Sequence, residues 1–265
     1  MRCGLFLVVL VVLGGMRTLE PALAAELELK QVASPATYTP LGRPVDVLGI
    51  APGMPPAAVN AILVERYGKV ETYQEKLGLE YRGTAVFAQL YTTKITAEKN
   101  GDRVAVLFGT PTTGNGVVEV SRQTDYFDAK QAPERAQVLG ELTTKYGPPA
   151  EQPTSPTPQL TIVVWSYSMK GPALCPRSSC RADVGEGLDI NNLQAYQRAA
   201  RSGHPLAIVA SVLSSTADPG RAASVVVRVS DAATKAQTLE TAIAQMRGAA
   251  AGSGHPEACA TTATC

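Results

Sequence analysis

Asn100-Gly101 stands between two runs of residues suited to strands, and this dipeptide asks for a tight antiparallel hairpin. Upstream, residues 81–97 are rich in Thr, Tyr, Val and Phe, side chains that pack well on a pleated surface. Downstream, Val104, Val106 and Phe108 alternate with Arg103, Ala105 and Leu107, the period of a strand with two unlike faces. A second turn, Gly114-Asn115-Gly116, leads into 117–122, so the segment reads as an antiparallel meander. Those glycines lie between strands and not ahead of a helix, which makes them a turn and not a phosphate cradle.

Helices are expected on both sides of the meander. Pro55 and Pro56 suit a first helical turn, and Val59, Ile62, Leu63 and Tyr67 follow at helical spacing before Gly68, predicting a helix over 55–67. A second helix opens at Pro133, carries Val138, Leu139, Leu142 and Tyr146 on one face, and ends at Gly147. Residues 148–158 hold five prolines and read as an extended connector. Beyond it come a strand over 160–169 with Trp165 as a core side chain, and a loop over 171–187. A short helix is expected over 193–200, capped by Asp189 or Asn191 and ended by Gly203. Strands over 206–213 and 223–229 flank an Asp218-Pro219-Gly220 turn. Asp231 caps a last helix with Ala236, Leu239, Ile243 and Met246 on its apolar face. The fold class is therefore α+β: an antiparallel sheet with a few short helices.

Two of these helices end alike, in Arg66-Tyr67-Gly68 and Lys145-Tyr146-Gly147, with the tyrosines 79 residues apart. Strands follow each, which suggests two diverged helix-plus-meander units, 47–122 and 123–247, within one α+β body over 47–247. Each tyrosine is expected to pack its ring inward and reach water with its hydroxyl. Residues 26–46, with Pro35, Pro40 and Pro44, form an extended lead-in, and 248–265 a flexible tail.

Residues 1–25 read as a secretory leader. Arg2 precedes an apolar run over 5–13, and Ala22-Leu23-Ala24-Ala25 supplies the small residues for cleavage after Ala24 or Ala25. The run falls short of the ~20 residues that span a bilayer, and no later stretch is apolar for long enough, so no transmembrane segment is expected after cleavage. Without Arg2, Arg17 and Glu20 the chain keeps 22 basic and 22 acidic residues. That balance gives no electrostatic reason to expect nucleic acid as a partner. Four cysteines remain: Cys175, Cys180, Cys259 and Cys265. An even count in an exported chain argues for two disulfides, and the spacing favours Cys175–Cys180 and Cys259–Cys265. The spacings are looser than those of structural zinc sites.

Chemistry is sparse. Only His204 and His255 occur, neither at a metal-ligand spacing, and there is no G-x-S-x-G elbow and no dinucleotide fingerprint. No catalytic residue, metal ligand or cofactor is assigned. The weak candidates are Asp183, Glu186 and Asp189, acidic groups in a glycine-containing loop that lack the frame of a calcium site, and His204 in the helix-to-strand connection.

The segment Gly49-Ile50-Ala51-Pro52-Gly53-Met54, leading into the helix to Tyr67-Gly68, resembles exported bacterial domains of the β-lactamase-inhibitor-like type, to which the small outer-membrane assembly lipoproteins also belong. Leu142 to Pro148, with Trp165 on the next strand, is also similar to a family of exported bacterial proteins. The likeness covers at most 47–169 and implies binding of other proteins and not catalysis. The expectation is a periplasmic or secreted, non-catalytic factor that docks another exported or envelope protein through one face of its sheet. The alternatives are an exported hydrolase-like enzyme using the 175–204 region, and a small-ligand carrier.

Overall fold

The computed structural model describes residues 29–35, 45–80, 89–128, 130–150, 154–168 and 187–252. Helix α1 (Pro56–Tyr67) starts from an extended Pro55 with proline in its first turn. It stops where Gly68, at φ 80°, donates its N–H to the Val64 carbonyl at 2.9 Å. Strands β1 (Glu71–Glu80), β2 (Gln89–Lys99), β3 (Asp102–Phe108) and β4 (Val117–Asp125) follow as an antiparallel meander. Asn100 and Gly101, at φ 53° and 79°, close the β2–β3 hairpin between the paired Lys99 and Asp102. Both central residues thus take the positive φ that this two-residue turn demands.

Helix α2 (Arg135–Tyr146) begins two residues after Pro133 and ends at Gly147, whose N–H donates to the Thr143 carbonyl at 2.7 Å. The proline-rich connector is partly a strand, β5 (Thr154–Thr157), paired with β6 (Leu160–Tyr167). Asp189 caps a 3-10 turn over Ile190–Asn192 by accepting from the Asn191 N–H, and that turn runs into α3 (Leu193–Arg201). Strands β7 (Leu206–Ser214) and β8 (Ala222–Asp231) precede α4 (Ala232–Gly252). Asp231 caps α4, taking the Thr234 N–H at 3.0 Å and the Thr234 hydroxyl at 2.6 Å.

All eight strands form one antiparallel sheet in the order β1-β2-β3-β4-β8-β7-β6-β5. The first half of the chain supplies α1 and four strands, the second supplies α2, α3, α4 and four strands, and the halves meet where β4 pairs with β8. The larger core lies between the sheet and the α1 and α2 side, with Ile50, Leu63, Val106, Phe108, Val120, Trp165 and Ile208 buried. A second core lies on the opposite side, where Leu107 and Val118 meet Tyr196, Ala236, Leu239 and Met246 of α3 and α4. A bulge lets Val118 reach that side, because Leu107 pairs with Glu119 while Phe108 pairs with Val117.

Three expectations need correction. Strand β1 was not anticipated: its Glu and Lys content reads as polar, yet pairing with β2 holds it extended. Helix α4 continues to Gly252, past the expected start of a flexible tail. The helix-end tyrosines do not present their hydroxyls to water alone. Tyr67 donates to Asp102 Oδ2 at 3.0 Å, and Tyr146 donates to the Asp46 carbonyl at 2.8 Å. Trp165 donates its indole N–H to the Gly147 carbonyl at 2.8 Å, with its ring 5.4 Å from that of Tyr146. Of the lead-in, residues 29–35 are described and carry no regular secondary structure; there the Val32 and Ala33 N–H groups both donate to the Thr112 carbonyl.

Among the described residues, no helix is long and apolar enough to cross a membrane.

Candidate functional site

Register places the outward side chains of the sheet in rows that run across the strands. One row is Thr96, Ala105, Ser121, Arg228, Val209 and Val164, each facing the next on the neighbouring strand. The parallel row is Glu98, Arg103, Gln123, Val226, Ser211 and Ile162. None of these twelve residues is buried, although Ile95, Ala97, Val104, Val120, Ile208, Ala210 and Val163, on the opposite face of the same strands, all are. On the other side of the first row the face closes, because Leu107, Ser230, Ala207 and Ser166 are buried where α3 and α4 pack. The helices therefore cover one end of this face and leave the other open.

The open face is uneven. Thr96, Ala105 and Ser121 are small, and the longer Lys69, Glu98, Arg103 and Gln123 rise around them, leaving a depression of about 610 Å³. A smaller hollow of about 270 Å³ adjoins it across Ala105 and Ser121, walled by Glu75, Lys94 and Glu119. The chemistry changes along the rows: the half on β2–β4 is charged, and the half on β6–β8 is mostly apolar, with Leu160, Ile162, Val164, Val209, Leu213 and Val226 beside Arg228 and Ser211. Arg103 and Asp125 form an ion pair at 2.7 Å, and Asp125 also accepts from Gln123 at 2.9 Å and Ser224 at 2.7 Å. Those hydrogen bonds, Gln123 foremost and against the effect of burial, hold the Asp125 carboxyl below the usual carboxylate range. Lys94 pairs with Glu75 at 3.1 Å, 5.8 Å from the Tyr73 ring. At the rim Phe127 is 86% exposed, and its ring lies over Gly101 at the hairpin tip.

Where the open face meets the helices, Lys235 of α4 is fully buried and ion-paired with Glu119 of β4. Its ammonium lies 5.3 Å from the Tyr196 ring, and Glu119 also accepts from the Gly187 N–H at 3.3 Å. Burial pushes the Lys235 amine down, opposed by the Glu119 carboxylate.

Of the residues singled out in the sequence, Cys175, Cys180, Cys259, Cys265, Asp183 and Glu186 lie outside the described residues. Asp189 and His204 are within them and stand at opposite ends of α3. Asp189 is occupied with Asn191, and His204 places Nδ1 3.2 Å from the Ser202 carbonyl oxygen. Nine helical residues between them span about 14 Å, so the two do not form one site. Among the described residues no three His, Cys, Asp or Glu side chains gather as metal ligands.

Sequence reading missed the Glu119–Lys235 pair and the composition of the open face. Signals existed: Glu119 is a lone charge within Val117-Val118-Glu119-Val120, and Lys235 lies four residues before the core Leu239. Comparison with protein-family models, with curated proteins and with solved structures finds no match.

Proposed function

We propose that this chain is an exported, non-catalytic protein-binding factor that docks another exported or envelope protein through the open face of its sheet. The observation that carries this reading is the pair of cross-strand rows, none of whose residues is buried although the opposite side of the same strands is core. Sheets with one covered face usually turn a uniformly polar side to water. Here the uncovered side carries a mostly apolar half, a polar half and an aromatic at the rim, the mixture found where proteins meet. Two ion pairs there, Lys94–Glu75 and Arg103–Asp125, balance charge within the face, which suits a neutral, shape-matched protein surface better than a highly charged ligand.

The export part of the reading rests on the leader-like 1–25 and on the even cysteine count, which favours two disulfides in a periplasmic or secreted setting. The β-lactamase-inhibitor-like resemblance supports binding as the mode of action.

The test is in-cell cross-linking of a tagged copy at native level, compared with a copy carrying Arg103→Glu, Phe127→Ala and Leu213→Asp. One reproducible exported partner, captured by the first and lost from the second while both copies stay folded, is the expected result. Capture unaffected by the three substitutions would reject the face. Mass and thiol measurements on the purified mature chain test the leader and the disulfides together.

A further inference from the structure

The chain contains two Asn-Gly pairs in turns, and the fold treats them differently. Asn100 and Asn115 both take left-handed conformations, φ 53° and 55°, so backbone shape alone does not separate them. Asn100 is exposed at the tip of the β2–β3 hairpin. Its turn is held to β4 by the Gly101 carbonyl, which accepts from the Asp125 N–H at 2.9 Å, and is overlaid by the exposed Phe127 ring. Asn115 is half-buried: its N–H donates to the Thr110 carbonyl at 3.2 Å, and the Gly116 carbonyl accepts from Gly109 at 2.8 Å. Both glycines are buried, but against different neighbours: a Cβ on Gly116 would lie 2.8 Å from Pro35 Cγ and 3.1 Å from the Gly53 backbone, two other segments of the chain, whereas one on Gly101 would lie 2.7 Å from the exposed Phe127 ring and 2.9 Å from the Asp125 carbonyl at the end of β4.

We propose that Asn100 is a site of spontaneous deamidation in the folded protein and that Asn115 is protected from it. The Gly101 nitrogen, on a residue with no side chain of its own to hinder approach, attacks Asn100 Cγ. The Gly101 N–Cγ bond forms, the Cγ–Nδ2 bond breaks, and ammonia leaves with the proton from the Gly101 amide. Water then opens the five-membered imide at either carbonyl, giving aspartate or isoaspartate. No oxidant or reductant is involved. Reaching the attack geometry requires the turn to open, and local opening is easiest at exposed turn tips. At Asn100 the tip must part only from the end of β4 at Asp125 and from the exposed Phe127 ring. At Asn115 the lead-in, the Gly53 turn and the start of β4 must separate.

The product matters because of where it forms. It adds a carboxylate beside Asp102, which already receives the Tyr67 hydroxyl and the Arg122 guanidinium. The isoaspartate form also lengthens a two-residue turn by one backbone methylene, which conflicts with the Lys99–Asp102 register directly under Phe127. The chemistry itself is independent of what docks on the open face.

The experiment is incubation of the native full chain at mildly alkaline pH, followed by peptide mass mapping and isoaspartyl-methyltransferase labelling, with a parallel sample in denaturant. In denaturant both Asn-Gly peptides are expected to gain the mass of an amide-to-acid exchange. In the native sample only the Asn100 peptide should gain it, and Asn100→Gln should abolish both the label and the ammonia release. Equal reaction at Asn100 and Asn115 in the native sample, or an Asn100 that reacts only in denaturant, overturns the proposal.

Discussion

Replacing Lys235 by methionine removes the charge that compensates Glu119 while keeping an unbranched side chain of similar length. Lys235 has no exposed surface and the Glu119 side chain only 7%, so water cannot take over the role of the lost ammonium. Leaving one member of a buried pair uncompensated costs about 3–5 kcal/mol. In a chain of this size each kcal/mol moves the melting midpoint by about 2–4 °C, so Lys235→Met should lower it by roughly 6–20 °C. The double variant, Lys235→Met with Glu119→Leu, places apolar groups among Leu107, Val118, Ala236 and Leu239. Replacing a whole buried pair in this way is often neutral or stabilising by about 1–4 kcal/mol. Against that stands about 1 kcal/mol for the Gly187 N–H, which loses its acceptor. The double variant should therefore melt near the wild type and well above the single. Thermal unfolding followed by circular dichroism, with urea titration as a second probe, reads all the proteins of the cycle. A Lys235→Met variant within about 0.5 kcal/mol of wild type, the range of ordinary surface changes, would refute the argument. So would a double variant as unstable as the two singles summed.

Gly116→Ala sets a Cβ 2.8 Å from Pro35 Cγ and 3.1 Å from backbone, so it should destabilise by about 1–3 kcal/mol in the same melts, whereas Gly140→Ala, with nothing within 4 Å on an exposed part of α2, should stabilise slightly. Trp165→Phe leaves the Gly147 carbonyl without its indole donor and should cost at least about 1–3 kcal/mol by urea unfolding. Burial raises the Asp102 carboxyl, but the hydrogen bonds and charge of Arg122, with Tyr67 and Arg66, outweigh it and hold the group below its ordinary value. The unfolded chain titrates at about 3.9, so this contribution is complete above that pH and is lost as pH falls through the folded value. Asp102→Asn should thus be less stable than wild type at neutral pH, with the difference closing on acidification in a pH series of melts.

Local punctuation in the sequence was a reliable guide to the fold. The Asn100-Gly101 turn, the glycine stops at Gly68 and Gly147, and the Asp231 cap each act through a few adjacent residues, and each stands where expected. Strand β1 was not legible, because Glu71, Glu75 and Lys76 have little preference for strands and the extended form comes from pairing with β2. The proline-rich β5 was hidden for the same reason: its edge position tolerates Pro156. The candidate face was harder still. Arg103, Gln123, Val226 and Ser211 become neighbours only through the pairing of four strands, and β4 pairs with β8 although the two are far apart in the chain, Asp125 facing Ser224 and Glu119 facing Ser230. Alternation in β3 showed that an outward face exists. It could not show that α3 and α4 stop short of covering it.

The central claim is that the open face, and not the α1–α2 side, meets a partner. The most direct measurement places a photo-cross-linking amino acid singly at Gln123, Val226 or Leu213 on the open face, and at Val64 or Gln137 on the helical side, in cells expressing the full chain. Each position is at least partly exposed or lies at the surface of its element, so the substitution should leave the fold intact. The account predicts one shared cross-linked protein from the three sheet positions and none from the two helical ones. The same product from Val64 and Gln137, with none from the sheet, would contradict it.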